Sequence, residues 1–260
     1  MSDEHPSAWR DRLDAKLGLW RSLLVYHGIP WRRAQLRRFY RRFVPAGGLA
    51  FDVGAHTGNR LQCFLDLGAR VVAVEPQPKL AERLQRRHGG DSRVSLVVGA
   101  LGREPGELRL MSSPRTPTVA TLSTDFVARA GATESFKGVA WQPGPVVPVT
   151  TLDALIARHG RPDFVKIDVE GFELEVLAGL SEPLPALSFE FLPAVRDVAL
   201  GCIDRLEALA GPGRYRYAVS LGERLSLLNP QGEPADAMRA WLTGLPPDAP
   251  SGDVHAWLQR

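Results

Sequence analysis

The chain has only two cysteines in 260 residues, Cys63 and Cys202, far apart and without metal-type spacing around either. That excludes a disulfide framework and a cysteine-based zinc site, and both read as small core residues. No apolar run approaches the roughly 18 residues needed to cross a bilayer. The opening stretch, MSDEHPSAWRDRLDAKL, carries acids and lacks the basic start and apolar core of a secretory signal. Internal repeats and low-complexity tracts are also missing. What remains, with 44% apolar residues, is the composition of a soluble globular protein, expected in the cytoplasm. The length suffices for a sizeable core in one large domain, or in a domain with an appended piece.

Net charge is a mild +3, yet six arginines crowd between Arg32 and Arg42 in WRRAQLRRFYRRF. Leu36, Phe39, Tyr40 and Phe43 recur at helical spacing in the same stretch, so an amphipathic helix can dock its apolar face and leave the arginines wet. The other reading is a basic face for nucleic acid, an anionic membrane surface or a phosphorylated substrate. Residues 1–47 are read as an N-terminal, helical, Arg-rich cap.

From residue 49, short apolar runs alternate with helical patterns, the signature of an α/β fold on a largely parallel sheet. The runs are LAFDV, RVVAVE, VSLVVGAL, DFVKIDV and ALSFEF. Helices are expected after Gly58, after Pro78, from Thr150 or Thr151 to Gly160, over GFELEVLAGL and after Pro193. YRYAVSL and ERLSLLN, separated by Gly222, read as a closing hairpin-like pair, which puts the main domain at 48–230 and leaves 231–260 as a tail. Residues 102–148, rich in Pro, Ser, Thr and Gly, break the rhythm and are expected as an inserted lid or substrate loop over the site. Trp141 and the Thr-Ser stretch 116–124 are candidates to line an acceptor pocket.

The first strand runs into Asp52-Val-Gly54-Ala-His-Thr-Gly58 and turns directly into a helix. Glycines at such a turn let a ligand approach the backbone and the helix N-terminus. Glu75 closes the second strand, where a carboxylate can accept both hydroxyls of a ribose. The dinucleotide fingerprint G-x-G-x-x-G is absent, because His56 stands at its second glycine, so there is less room for a pyrophosphate. A ligand with an adenosine ribose and no phosphate fits better, and S-adenosylmethionine is the common one.

With FDVGAHTGNR, VVAVEPQP, GALG, VTTLDALIARHGRPDFVKIDVEGFELEVLAGL and LSFEF in order, the chain resembles the FkbM-type S-adenosylmethionine-dependent methyltransferases from about residue 40 to about 230. The resemblance implies a class I methyltransferase (Rossmann-like) fold, a mostly parallel seven-stranded sheet with one antiparallel strand and helices on both faces. It implies O-methylation of a hydroxyl on a sugar, polyketide or related metabolite. By that resemblance Asp52, Gly54 and Ala55 lie under the methionine part of the cofactor. Glu75 holds the ribose, Pro76 and Gln77 flank the adenine, and Ala100 and Leu101 lie beside it. Members of that family often carry Asn where this chain has His56.

Methyl transfer to a hydroxyl needs alignment and a proton acceptor, or a divalent cation to hold the alkoxide. Asp168 ends the fourth core strand and Glu190 nearly ends the fifth; as neighbours their ends lie roughly 4.8 to 10 Å apart. Asp168, supported by Glu190 and with Glu170 close by, is expected to orient or deprotonate the acceptor. Two carboxylates are a sparse ligand set for magnesium, which is only weakly indicated. Lys166 shares a strand face with Asp168 and is either part of the catalytic group or the neutralising partner of Asp168 or Glu190. Glu170 and Glu173 suit the first turn of a helix without any catalysis.

The leading expectation is an O-methyltransferase acting on a small-molecule or glycan acceptor, with room for a homo-oligomer and no nucleic-acid partner. The alternatives are a nucleic-acid methylase or binder using the arginine helix, and a cofactor-binding interaction protein without turnover. N-methylation is disfavoured because Asp-Val-Glu-Gly follows the fourth strand, not an Asn-Pro-Pro-Tyr-type signature.

Overall fold

The computed structural model describes residues 30–113, 120–130, 139–222 and 224–259. The expected N-terminal cap is therefore seen only from its basic helix onward, and residues 1–29 lie outside the described residues. In α1 (Pro30–Tyr40) and the turn after it, Leu36, Phe39, Tyr40 and Phe43 are buried while Arg33, Arg38, Arg41 and Arg42 stay exposed. Arg33 and Arg37 both reach Asp66. The docked amphipathic arrangement is the one present.

The chain continues through β1 (Leu49–Val53), α2 (Asn59–Asp66), β2 (Arg70–Glu75), α3 (Pro78–His88), β3 (Val94–Val98), β4 (Ala100–Leu101), β5 (Gly106–Ser112) and β6 (Ala120–Thr121). Next come α4 (Thr124–Ala130), β7 (Gln142–Thr150), α5 (Leu152–His159), β8 (Phe164–Ile167), α6 (Glu173–Ala178) and β9 (Ala186–Phe191). A single 3-10 turn (Pro193–Val195) leads into α7 (Arg196–Ala210), followed by β10 (Tyr215–Leu221), α8 (Ala235–Gly244) and β11 (Gly252–Leu258). Thr151 caps α5 by accepting from the Ala154 N–H, and Gly160 ends that helix.

Seven strands form the main sheet in the order β3-β2-β1-β8-β9-β11-β10. All neighbours are parallel except at β11, which runs antiparallel to both β9 and β10. Two expectations are corrected here. The partner of β10 is β11, not the segment after Gly222, and residues 231–260 supply α8 and an inner strand of the sheet instead of a tail. The segment after Gly222 lies along the sheet edge without forming a ladder there: the Leu228 N–H donates to the Val219 carbonyl, and Leu225 and Leu227 pack on the core while Ser226 and Leu228 stay exposed. By contrast GDVHAWL gives Val254 and Ala256 to one face and His255 to the other, all three fully buried.

Alternation also explains the layers. Phe51, Val53, Val165, Ile167, Leu187 and Phe189 pack one face against α5, α6, α7 and α8. Ala50, Phe164 and Ala186 pack the opposite face against α1, α2 and α3. On that second face a buried polar row crosses the centre, Asp52, Lys166, Ser188 and His255 being register partners strand by strand.

The run VSLVVGAL does not stay one strand. It breaks at Gly99 (φ +153°), where a Cβ would stand 2.7 Å from the Pro148 carbonyl oxygen, and β4 joins a second, four-stranded sheet in the order β4-β7-β5-β6. Most of that sheet, together with α4, falls within the insertion 102–148. Residues 114–119 and 131–138, including part of the Thr-Ser stretch proposed to line an acceptor pocket, lie outside the described residues.

Candidate active site

A cavity of about 330 Å³ opens beyond the carboxyl ends of β1, β2, β8 and β9, in the size range of small-molecule sites. Of the residues expected at the cofactor, Asp52, Gly54, Ala55, Glu75, Pro76 and Gln77 line it, as do Ala100 and Leu101. Asp168 and Glu190 stand on the same wall, joined by Glu170. Two expected residues do not line it. Gly58 (φ +82°) starts α2, and a Cβ there would come 2.8 Å from Leu84, so its role is close packing. Lys166 lies beneath the wall, with its side chain 1% exposed.

The loop after β1 is held by backbone geometry. Gly54 (φ +82°) lies so close to β8 that an added Cβ would stand 1.8 Å from the Asp168 carbonyl oxygen. His56 also has a left-handed backbone (φ +50°), a region that favours Asn among side-chain-bearing residues. Its N–H donates to Glu75 Oε2 at 2.7 Å, and the Gln77 N–H donates to Glu75 Oε1 at 2.9 Å. Asp52 Oδ2 accepts from the Leu61 N–H at 2.9 Å and so anchors the first turn of α2.

These contacts bear on whether the residues fit an adenosyl ligand. Each oxygen of Glu75 uses one acceptor site and keeps a second, which suits a ribose diol. The carboxamide oxygen of Asn59 and Nε2 of His56 are buried at the site without hydrogen-bond partners among the described residues. Polar atoms in that condition are normally satisfied by something bound. The residues fit the cofactor.

Burial pushes the Glu75 carboxyl up to about 7, against the pull of the amide hydrogen bonds from Gln77 and His56. Accepting ribose hydroxyls favours the ionised form, so ligand binding must release a proton wherever Glu75 is protonated beforehand. The affinity for S-adenosylhomocysteine is therefore expected to fall as pH drops below about 7, approaching tenfold per unit. Calorimetry between about pH 6 and about pH 8, against Glu75→Gln as a reference that is weak and flatter in pH, reads this out. Equal slopes in the two proteins would remove Glu75 as the ribose acceptor.

At the other wall, β8 delivers Lys166 and Asp168. Lys166 Nζ donates to Asp168 Oδ2 at 3.0 Å and to Asp253 Oδ1 at 2.9 Å. Burial opposes the Lys166 charge, but Asp168 and Asp253 outweigh it and hold the ammonium well above its ordinary value. The two carboxylates make a buried ammonium tolerable in this strand. Asp253 reaches Lys166 because β11 is inserted beside β9, in register with Glu190.

After β8 the chain turns at Glu170 (φ +53°) and Gly171 (φ +85°). Glu173, expected only as a first-turn acid, is 1% exposed and its Oε1 accepts from the Val169 and Gly171 N–H groups, shaping this turn. The Glu170 carbonyl accepts from Thr121 Oγ1 at 2.7 Å, tying the turn to the inserted sheet. Leu110 and residues 120–122 of the insertion line the cavity, while Trp141 instead packs edge-on against Phe126.

Asp168, Glu170 and Glu190 each place a carboxylate oxygen so that all three lie within 4.8 Å of one another. Glu190 Oε2 is buried and has no hydrogen-bond partner among the described residues. Burial, then Glu170, Asp168 and Glu173, push the Glu190 carboxyl well above the ordinary range; burial and Asp168 also raise Glu170. Such a cluster takes up positive charge as protons or as a cation, and its three oxygens could hold either.

Counted along the sheet, the strands follow the order 3-2-1-4-5-7-6 with the seventh antiparallel, and an acidic residue ends each of the second, fourth and fifth near the cavity. That topology and site define a class I S-adenosylmethionine-dependent methyltransferase. The Methyltransferase FkbM domain matches residues 52–193, more than half of the chain, and the chain belongs to that family. It is similar to the hexuronic acid methyltransferase AglP of Haloferax volcanii, with 28% identity over 144 residues, 54% of this chain and 52% of that protein. The chain thus matches over about half the length of that curated relative. Among solved structures, a precorrin-6Y C5,15-methyltransferase from Geobacter metallireducens GS-15 aligns with TM-score 0.43 and 13% identity over 87% of each chain. An O-methyltransferase from Thermotoga maritima aligns with TM-score 0.41 and 12% identity, over 89% of this chain and 66% of that one. Among the described residues no helix is long and apolar enough to cross a membrane.

Proposed function

We propose that the chain methylates a hydroxyl of a sugar, a glycan or a secondary metabolite, with a sugar favoured by the likeness to a hexuronic acid methyltransferase. The observation that carries the reading is the carboxylate cluster of Asp168, Glu170 and Glu190, across the cavity from the ribose-type acceptor Glu75. When bound, S-adenosylmethionine supplies a methyl already activated on a sulfonium. The chain's own task is then to align the acceptor and remove its proton.

Asp168 Oδ2 is taken by Lys166, which leaves Oδ1 to receive the proton of the acceptor hydroxyl. Glu190, whose carboxyl burial and its acidic neighbours bias toward the protonated form, supports the acceptor by donating a hydrogen bond. Lys166, buried below the wall, acts as a positioning residue that fixes the Asp168 carboxylate. Leu110 and residues 120–122 of the insertion line the same cavity and are offered to the acceptor as contacts.

The test is incubation with methyl-labelled S-adenosylmethionine and a panel of hexuronic acids, neutral hexoses and their glycosides. The expected product is an O-methyl ether, found by mass spectrometry and NMR. Label on nitrogen, or on nucleic acid alone, would overturn the reading. Activity is expected to persist in a chelator, since protons suffice to neutralise the cluster; a loss restored by magnesium would give Asp168, Glu170 and Glu190 to a cation instead.

A further inference from the structure

The turn after β8 carries Glu170 into the acidic cluster, and its backbone is strained. Among the described residues only His56 and Glu170 combine a side chain with a left-handed φ, Glu170 at +53°. Such a conformation is costly for a residue with a Cβ, persists where neighbours hold it, and gathers at functional sites. Glu173 supplies one hold, through the Val169 and Gly171 N–H groups. The other comes from the insertion.

Thr121, at the end of β6, is 1% exposed, and its hydroxyl is spent on backbone groups. It donates to the Glu170 carbonyl at 2.7 Å and accepts from the Ser123 N–H at 2.9 Å. Ser123 Oγ in turn accepts from the Phe126 N–H at 3.0 Å, in the first turn of α4. Phe126 packs on the same turn as Thr121: a Cβ on Gly171 would stand 2.5 Å from its ring. The far end of α4 is tied to the other acid-bearing strand, because Arg129 donates to the Ala194 carbonyl and to Asp197, just past β9. The insertion therefore bridges the two stretches of chain that follow Asp168 and Glu190.

We propose that Thr121 is a positioning residue for the Glu170 carboxylate, so that the insertion acts on methyl transfer through this one hydrogen bond as well as through its contacts with the acceptor. The proposal rests on the methyl-transfer reading of the cluster. A carboxylate oxygen of Glu170 lies within 4.8 Å of one from Asp168 and one from Glu190. A turn that relaxes the Glu170 backbone carries that oxygen away from the group the acceptor meets. A misplacement of about 1 Å at a reacting centre can cost about 10²-fold in rate.

Single-turnover methyl transfer to the sugar of the panel that the unaltered protein methylates, with calorimetry of S-adenosylhomocysteine beside it, tests the proposal. Thr121→Val keeps the shape of the side chain and removes the hydroxyl. It is expected to slow transfer by about 10- to 100-fold while S-adenosylhomocysteine binds as before, which also certifies folding. Thr121→Ser returns the hydroxyl and is expected to recover most of the rate. Because the effect runs through Glu170, Thr121→Val adds no further loss in a Glu170→Gln background, whereas a direct contact with the acceptor would multiply the two losses. Hydrogen exchange without acceptor reads the turn itself: amides 169–171 are expected to exchange at least about threefold faster in Thr121→Val and at the native rate in Thr121→Ser. Native transfer or native exchange in Thr121→Val overturns the proposal, as do multiplied losses in the double variant, a serine variant as slow as the valine one, or a parallel loss of S-adenosylhomocysteine binding. If the unaltered protein methylates no member of the panel, it is the methyl-transfer reading that fails, and exchange alone still decides whether Thr121 holds the turn.

Discussion

Asp168→Asn is expected to lower the rate of methyl transfer by about 10²- to 10⁴-fold, the usual worth of a positioned general base, while S-adenosylhomocysteine binds as before. Asparagine keeps the size of the side chain and can still accept from Lys166 Nζ, so the ammonium remains flanked by oxygen on both sides. What is lost is the ability of Oδ1 to take a proton. Single-turnover rates separate this chemical step from binding and product release. A variant that turns over at the native rate would remove Asp168 as the base. Glu190→Gln, which can still donate a hydrogen bond, is expected to cost much less.

Gly54→Ala is expected to abolish measurable S-adenosylhomocysteine binding and to lower stability by about 2–4 kcal/mol, combining a left-handed side-chain residue with overpacking. The added Cβ would stand 1.8 Å from the Asp168 carbonyl oxygen and 2.9 Å from its carbon, both backbone atoms that cannot swing aside. Relief requires either the loop after β1 or the end of β8 to move, and each carries part of the site. Gly68→Ala is the matched reference: its φ is +87°, yet the nearest atom to a Cβ there is 3.9 Å away. It should show the conformational cost alone. Thermal melts and calorimetry on the pair decide the matter; equal losses would mean that the contact at Gly54 is soft.

The parallel part of the sheet was legible because buried strands between helices leave near-continuous apolar runs of fixed length. LAFDV, RVVAVE and ALSFEF became β1, β2 and β9 with their expected edges. Glu75, Asp168 and Glu190 could be placed near one another because ligands in such sheets sit beyond the carboxyl ends of the strands. The closing strands were misread since pairing across a helix leaves no local trace: β10 and β11 are separated by α8, whereas Gly222 offered a nearer turn. Missing β11 meant missing Asp253, the second partner of Lys166. Gly58 looked like a ligand contact and is instead a packing contact, because a left-handed glycine at a helix start serves both purposes equally well.

Lys166 has a consequence for assembly as well as for chemistry. A slip of β8 by one residue against β1 would exchange its two faces, sending Lys166 into the layer of Phe51, Val53 and Leu187 and turning Ile167 toward Asp253. An unpaired ammonium in that apolar layer costs several kcal/mol, a large share of what keeps a domain folded. The single charge inside an apolar strand thus discriminates between registers of the central pairing, making the slipped one costly by electrostatics alone.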